Sequence, residues 1–129
     1  MRNHASRALT AAACAVAVAA VIAPQAHATT VVGATTGSLT VSAGQPLTFV
    51  HQTSGGLGLG WTLAHHTNRR ALRLVRVTSV SDDPDPQAVG GPSTKRFVFR
   101  ARHGGWATLT FIRDFRGEDR HYVMRVHVI

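Results

Sequence analysis

The sequence predicts an all-β domain, an immunoglobulin-like β-sandwich of seven to eight strands, and three observations carry that reading. Beyond residue 28 apolar residues alternate with polar ones instead of recurring at helical spacing. The alternating runs are short and separated by turn residues, the pattern of a sandwich. The same stretch contains no cysteine, so an ordinary hydrophobic core must hold it. About 100 residues suffice, since a chain of that size buries roughly 60–70% of its unfolded surface.

The 129 residues leave room for one domain behind a leader. Arg2 and Arg7 give a positive start, and Ala8 to Ile22 is an almost unbroken apolar run. Pro24 breaks it, and Ala26-His27-Ala28 supplies a small-x-small cleavage pattern. This is the layout of a secretory signal peptide over residues 1–28, with a domain over 29–129. The apolar run is too short to span a bilayer comfortably. No twin arginine precedes it, and Cys14 lies within it as one more small apolar residue. The expected product is secreted, monomeric and free of the membrane.

The strands follow in order. Thr30 to Ala34 is a β-branched run; Leu39-Thr40-Val41 alternates before the turn Ala43-Gly44-Gln45-Pro46. Leu47 to His51 is a strand with Leu47 and Phe49 on one face, and Gln52 to Gly60 reads as a glycine-rich loop. Trp61-Thr62-Leu63 resumes as a strand. In Leu72 to Thr78 the apolar phase shifts from Leu to Val75 and Val77, which predicts a bulge. Ser81 to Pro92 is a loop with several prolines and acids. Phe97, Phe99 and Ala101 face in while Arg96, Arg100 and Arg102 face out. After the turn His103-Gly104-Gly105 come the inward residues Ala107, Leu109 and Phe111. Arg113 to Arg120 reads as a polar loop, and Tyr122, Met124, Val126 and Val128 form a closing inward comb.

The chain is basic. Fourteen Lys and Arg against six Asp and Glu give +8, and losing Arg2 and Arg7 with the leader leaves +6. Such a surface favours encounter with acidic partners. Catalysis finds no support: Ser54 has no nucleophile elbow, no His stands beside a Ser–acid pair, and thiol chemistry lacks its cysteine. No catalytic residue, cofactor or metal is therefore expected. Asp82, Asp83 and Asp85 lack the glycine and bidentate glutamate of a calcium loop and read as solvated. His65 and His66 point to opposite faces, His121 and His127 lie roughly 20 Å apart along a strand, and the histidines read as surface residues. Trp106 faces out alone, which is no stacking platform, so nucleic acid is not an expected partner. Gly55 to Gly60 leads into a strand, with no helix end to meet a phosphate.

Three connections remain: Thr53 to Gly60, Pro86 to Ser93, and Arg113 to Asp119. In a seven-strand sandwich, connections at these positions lie at one end. Their glycines allow close approach of backbone to a partner, and Phe115 is a candidate interface anchor.

These segments resemble the chagasin-like family of cysteine protease inhibitors. The likeness is carried by Val89-Gly90-Gly91-Pro92-Ser93-Thr94-Lys95-Arg96-Phe97-Val98-Phe99-Arg100-Ala101, then Gly105-Trp106-Ala107-Thr108-Leu109-Thr110-Phe111. The family has a glycine-rich loop, an F-x-F-x-A strand, a glycine turn and an alternating strand in this order. Its arginine–proline–aromatic loop aligns with Arg113-Asp114-Phe115, where Asp114 replaces the proline. Its N-P-T-T-G-Y-x-W motif aligns with Ser54-Gly55-Gly56-Leu57-Gly58-Leu59-Gly60-Trp61, where Gly58 and Trp61 match and Leu59 replaces the aromatic. Leu39 to Leu47 looks like the family's opening strand and turn.

The resemblance implies a secreted, reversible inhibitor of papain-like cysteine proteases, and no enzyme. By that likeness Gly56, Leu57 and Gly58 would enter the cleft beside the catalytic cysteine. Gly90 and Gly91 would offer backbone groups to an extended pairing, and Arg113 and Phe115 would pack on the other side. The alternative is a non-inhibitory binding module of the same fold for a protein or an acidic cell-surface polymer.

Overall fold

The computed structural model describes residues 28–33, 36–85, 87 and 89–129. The leader, apart from Ala28, lies outside the described residues, as do Ala34, where the first expected strand ends, Thr35, Pro86 and Ala88. Eight strands follow one another: β1 (Thr29–Val32), β2 (Gly37–Val41), β3 (Pro46–Ser54), β4 (Leu59–His66), β5 (Leu72–Ser81), β6 (Pro92–Ala101), β7 (Gly105–Phe115) and β8 (Glu118–Val128).

The hydrogen-bonded path runs β2-β8-β7-β4-β3-β6-β5, with β1 added beside β3. Its thinnest point is between β3 and β4, which pair only at Ser54 and Leu59. There the sheet folds over into two layers, β1-β3-β6-β5 and β2-β8-β7-β4. Aromatic rings meet across the gap: Phe49 and Phe97, of β3 and β6, lie 5.0 and 5.2 Å from Phe111 of β7. β1 joins β3 and β2 joins β8 in parallel, while the other pairings are antiparallel. The architecture is an all-β sandwich, as the alternation predicts.

Alternation places the core. Leu47 and Phe49 are buried with Phe97, Phe99 and Ala101 opposite, and Ala107, Leu109 and Phe111 meet Met124, Val126 and Val128. This core is assembled from residues of the domain itself, between Val41 and Val128. The phase shift in β5 is a register irregularity between Leu74 and Arg76, which leaves Val75 as the extra residue. The end carrying the β2–β3, β4–β5 and β6–β7 turns is tied by backbone bonds. Gly44 N–H donates to Ala101 O at 2.7 Å and Arg102 N–H to Ala71 O at 2.8 Å.

Two segments expected to be loops are mostly strand. β3 continues through Gln52, Thr53 and Ser54, and β4 begins at Leu59, so the loop shrinks to Gly55–Gly58. The polar side chains suggested solvent, but they bond across to β6: Gln52 Nε2 donates to Thr94 Oγ1 at 3.2 Å and Thr53 Oγ1 to Ser93 O at 3.3 Å. Likewise β7 runs to Phe115 and β8 starts at Glu118, which reduces Arg113–Arg120 to a hairpin. Its two turn residues, Arg116 and Gly117, have φ of 53° and 80°, the sign that type I′ hairpin turns require.

Candidate functional site

The β3–β4, β5–β6 and β7–β8 connections leave the sandwich at the same end. Backbone atoms fasten them together. Gly56 N–H donates to Gly90 O at 2.7 Å, and Ser54 Oγ donates to the same oxygen at 3.3 Å. Arg116 N–H donates to Gly58 O at 3.1 Å, next to the rung that pairs Leu59 with Phe115. The first connection thus sits between the other two, bonded to each.

Glycine is required at the closest approach. A Cβ at Gly56 would stand 2.6 Å from the Gly90 oxygen, inside any real contact distance. Gly90 has φ of 77°, and a Cβ there would lie 3.0 Å from Gly56 N. The second connection is shaped by its acids: Asp83 Oδ1 accepts from Asp85 N–H and Asp85 Oδ1 from Gln87 N–H, both at 2.9 Å. These carboxylates act as local turn acceptors. Among the described residues no cluster of three metal-ligating side chains occurs.

Gly56, Leu57 and Gly58 form the exposed first turn, with Leu57 54% exposed at its tip. Gly90 and Gly91 are half-buried at the base of the second connection. The Gly90 carbonyl is engaged by Gly56 and Ser54, which ties the first turn to the second connection. Arg113 and Phe115 are half-buried on β7, and the guanidinium groups of Arg113 and Arg116 lie 5.5 and 5.2 Å from the Phe115 ring centre.

Two further residues belong to this end. Val89, 98% exposed, is an apolar residue of the second connection directly before Gly90. An isolated valine ahead of two glycines in a polar loop was its signal. Arg116 adds both the backbone bond to Gly58 and a cation over Phe115. Its signal was the glycine that follows, which marks a two-residue turn.

His51 departs from the surface expectation. It is 2% exposed, stacked on Trp61 at 4.1 Å, and neither ring nitrogen has a hydrogen-bond partner in the structure. Burial, with the Lys95 charge adding, pushes it down to about 4, so it is neutral near pH 7. It shares a face with Leu47 and Phe49, and period-two alternation turns all three inward. Trp61 is fixed in turn: its Nε1 donates to Gln52 O at 3.0 Å, and its carbonyl accepts from Lys95 Nζ at 2.8 Å. His66 is also lowered, chiefly by burial, and its ring Nε2 lies 2.7 Å from Leu72 O.

No protein-family profile matches the sequence, and no curated protein matches it. Solved structures do. The solution structure of amebosin superposes with a TM-score of 0.64 at 14% identity, over 80% of this chain and 99% of amebosin. The cysteine protease inhibitor EhICP2 from Entamoeba histolytica gives 0.61 at 16% identity, over 78% of this chain and 95% of its own. PbICP-C, in a structure of its complex with falcipain-2, gives 0.51 at 16% identity, over 78% of this chain and 99% of that one. The chain therefore shares its fold with amebosin, with the cysteine protease inhibitor EhICP2 and with PbICP-C.

Proposed function

We propose that the chain is exported, loses residues 1–28, and acts as a reversible inhibitor of papain-like cysteine proteases by inserting this end of the sandwich into the active-site cleft. The observation that carries the reading is the fastening of three connections into one surface by the Gly56–Gly90 and Gly58–Arg116 backbone bonds. The fold shared with EhICP2, a cysteine protease inhibitor, supports it, as does the PbICP-C complex with falcipain-2.

The physical logic is steric. Gly56 and Gly58 carry no side chain, so the first turn is a thin wedge that can reach the floor of a narrow cleft, with Leu57 as its apolar tip. Val89 on one flank and Phe115 on the other supply apolar contact at the cleft rims. The connections are bonded before the partner arrives, so little ordering is needed on association, and preorganisation of this kind raises affinity. The mature chain has no thiol, so no covalent adduct forms through a cysteine of its own.

The test is equilibrium titration of papain and a cathepsin with purified Thr29–Ile129. Nanomolar inhibition is expected. A correctly folded protein, judged by circular dichroism, that leaves both enzymes active at tens of micromolar would sink the proposal.

A further inference from the structure

A separate face of the molecule carries a charge pattern that protease inhibition does not use. Phe97, Phe99 and Ala101 of β6 are buried, so Arg96 and Arg100 point away from the core, and Arg102 follows at the strand end. Across the ladder, Arg73 stands directly opposite Arg100, Arg76 opposite Val98 and Thr78 opposite Arg96. Arg73, Arg76, Arg96, Arg100 and Arg102 are all exposed. They form a stripe along the outer surface of β5 and β6.

Three features set this stripe apart from an ordinary solvated face. Facing like charges on neighbouring strands destabilise a sheet, yet Arg73 and Arg100 are paired in register. No carboxylate lies within the stripe: β1, β3, β5 and β6 contain no Asp or Glu, and Asp82, whose carboxylate accepts from Thr94 Oγ1, stands beyond its Arg96 end. All six acids of the chain sit in the β5–β6 connection and the β7–β8 hairpin, at the opposite end from Arg102. Finally, Arg73, Arg100 and Arg102 line a concavity of about 270 Å3 with Val75, the extra residue of the β5 irregularity.

The complement of such a stripe is a chain of anions. Alternate residues of one strand are about 6.6–6.8 Å apart, so Arg96 and Arg100, with Val98 between them, stand about twice that distance apart along β6, and Arg73 and Arg76 flank them on β5. Each guanidinium is a planar fork suited to two-point binding of sulfate, phosphate or carboxylate. Nucleic acid fits less well, because β5 and the outward positions of β6 hold no aromatic side chain on which a base could stack. Trp106 stands in the other layer, with His127 stacked on it at 4.3 Å and Arg125 at 4.7 Å.

We propose that the arginine stripe of β5 and β6 binds a linear anionic polysaccharide, with Arg73, Arg100 and Arg102 as its strongest subsite. The site is independent of the three connections, and it stands whether or not they inhibit a protease.

The probe is a heparin oligosaccharide, with affinity measured calorimetrically at about 0.15 M salt. The triple variant Arg73→Ala/Arg100→Ala/Arg102→Ala is expected to bind more than tenfold more weakly. A control of equal charge loss in the other layer, Arg120→Glu/Arg125→Ala on β8, is expected to stay within about threefold of the parent, the residual effect of net charge alone. Both variants change exposed side chains, and the first removes a repulsive pair, so its melting temperature should not fall. Should it fall, Arg76→Ala/Arg96→Ala is the second variant and is expected to weaken binding in the same direction. Equal losses in the two charge-matched variants would overturn the proposal, as would undetectable binding by the parent. So would a thymidine oligonucleotide of matched charge binding as tightly as the heparin fragment.

Discussion

The amide of Gly56 points at the carbonyl of Gly90 from 2.7 Å, and at that separation neither residue can carry a side chain without moving the other. The contact joins the β3–β4 turn to the β5–β6 connection and sets where the first turn can stand.

Gly56→Ala should therefore weaken protease inhibition by more than tenfold, because its Cβ would meet the Gly90 oxygen at 2.6 Å and push the two connections apart. Gly55→Ala is the matched control: its Cβ would meet Gly90 Cα at an ordinary 3.5 Å. Inhibition constants for the two variants, measured side by side, check this. Equal values would show that the contact does not shape the inhibitory surface.

Val89 separates binding from folding. At 98% exposure it touches little of its own molecule, so Val89→Ala should leave the melting temperature unchanged. As a rim contact its loss should still weaken inhibition measurably. Phe115→Ala should cost more than about 1 kcal/mol of binding if the ring is an anchor. An unchanged inhibition constant for Phe115→Ala would remove it from the interface.

Arg116 holds a positive φ of 53° that most side chains avoid. Arg116→Asn would create the Asn-Gly pair preferred in type I′ turns and should stabilise the fold by about 0.5–1 kcal/mol. Denaturant unfolding reads the change. The same substitution removes a cation from Phe115, so a loss of inhibition alongside the gain in stability would assign that cation to the interface.

Acid should destabilise the protein through His51. Its folded value is lowered from 6.5 to about 4, so between those values the unfolded chain takes a proton that the native one refuses. Stability is then fully present above about pH 6.5, falls as pH drops toward 4, and levels below. His51→Leu should flatten most of that slope in denaturant titrations across the window. His66, lowered in the same direction, leaves a residue of it. An unaltered slope in the variant would exclude His51 as the source.

Legibility from sequence tracked the regularity of alternation. β6 and β7 could be read residue by residue, because Phe97, Phe99, Ala101 and then Ala107, Leu109, Phe111 alternate without interruption. The ends of β3 and β7 were hidden because Gln52, Thr53, Arg113 and Asp114 are types that loops favour, and their place in a ladder depends on partners distant in sequence. His51 was hidden by its chemistry, although its position in the alternation already pointed inward. The three connections could be assigned to one end from strand order alone. That Gly90 faces Gly56 could not, since it follows from two backbone paths meeting in space.

The ties among these connections run through amides and carbonyls, apart from the Ser54 hydroxyl. The frame is thus largely indifferent to the identity of the exposed residues Leu57 and Val89. Randomising those two positions should yield proteins that fold alike, and on the proposed inhibitory reading they should differ in which clefts they fit.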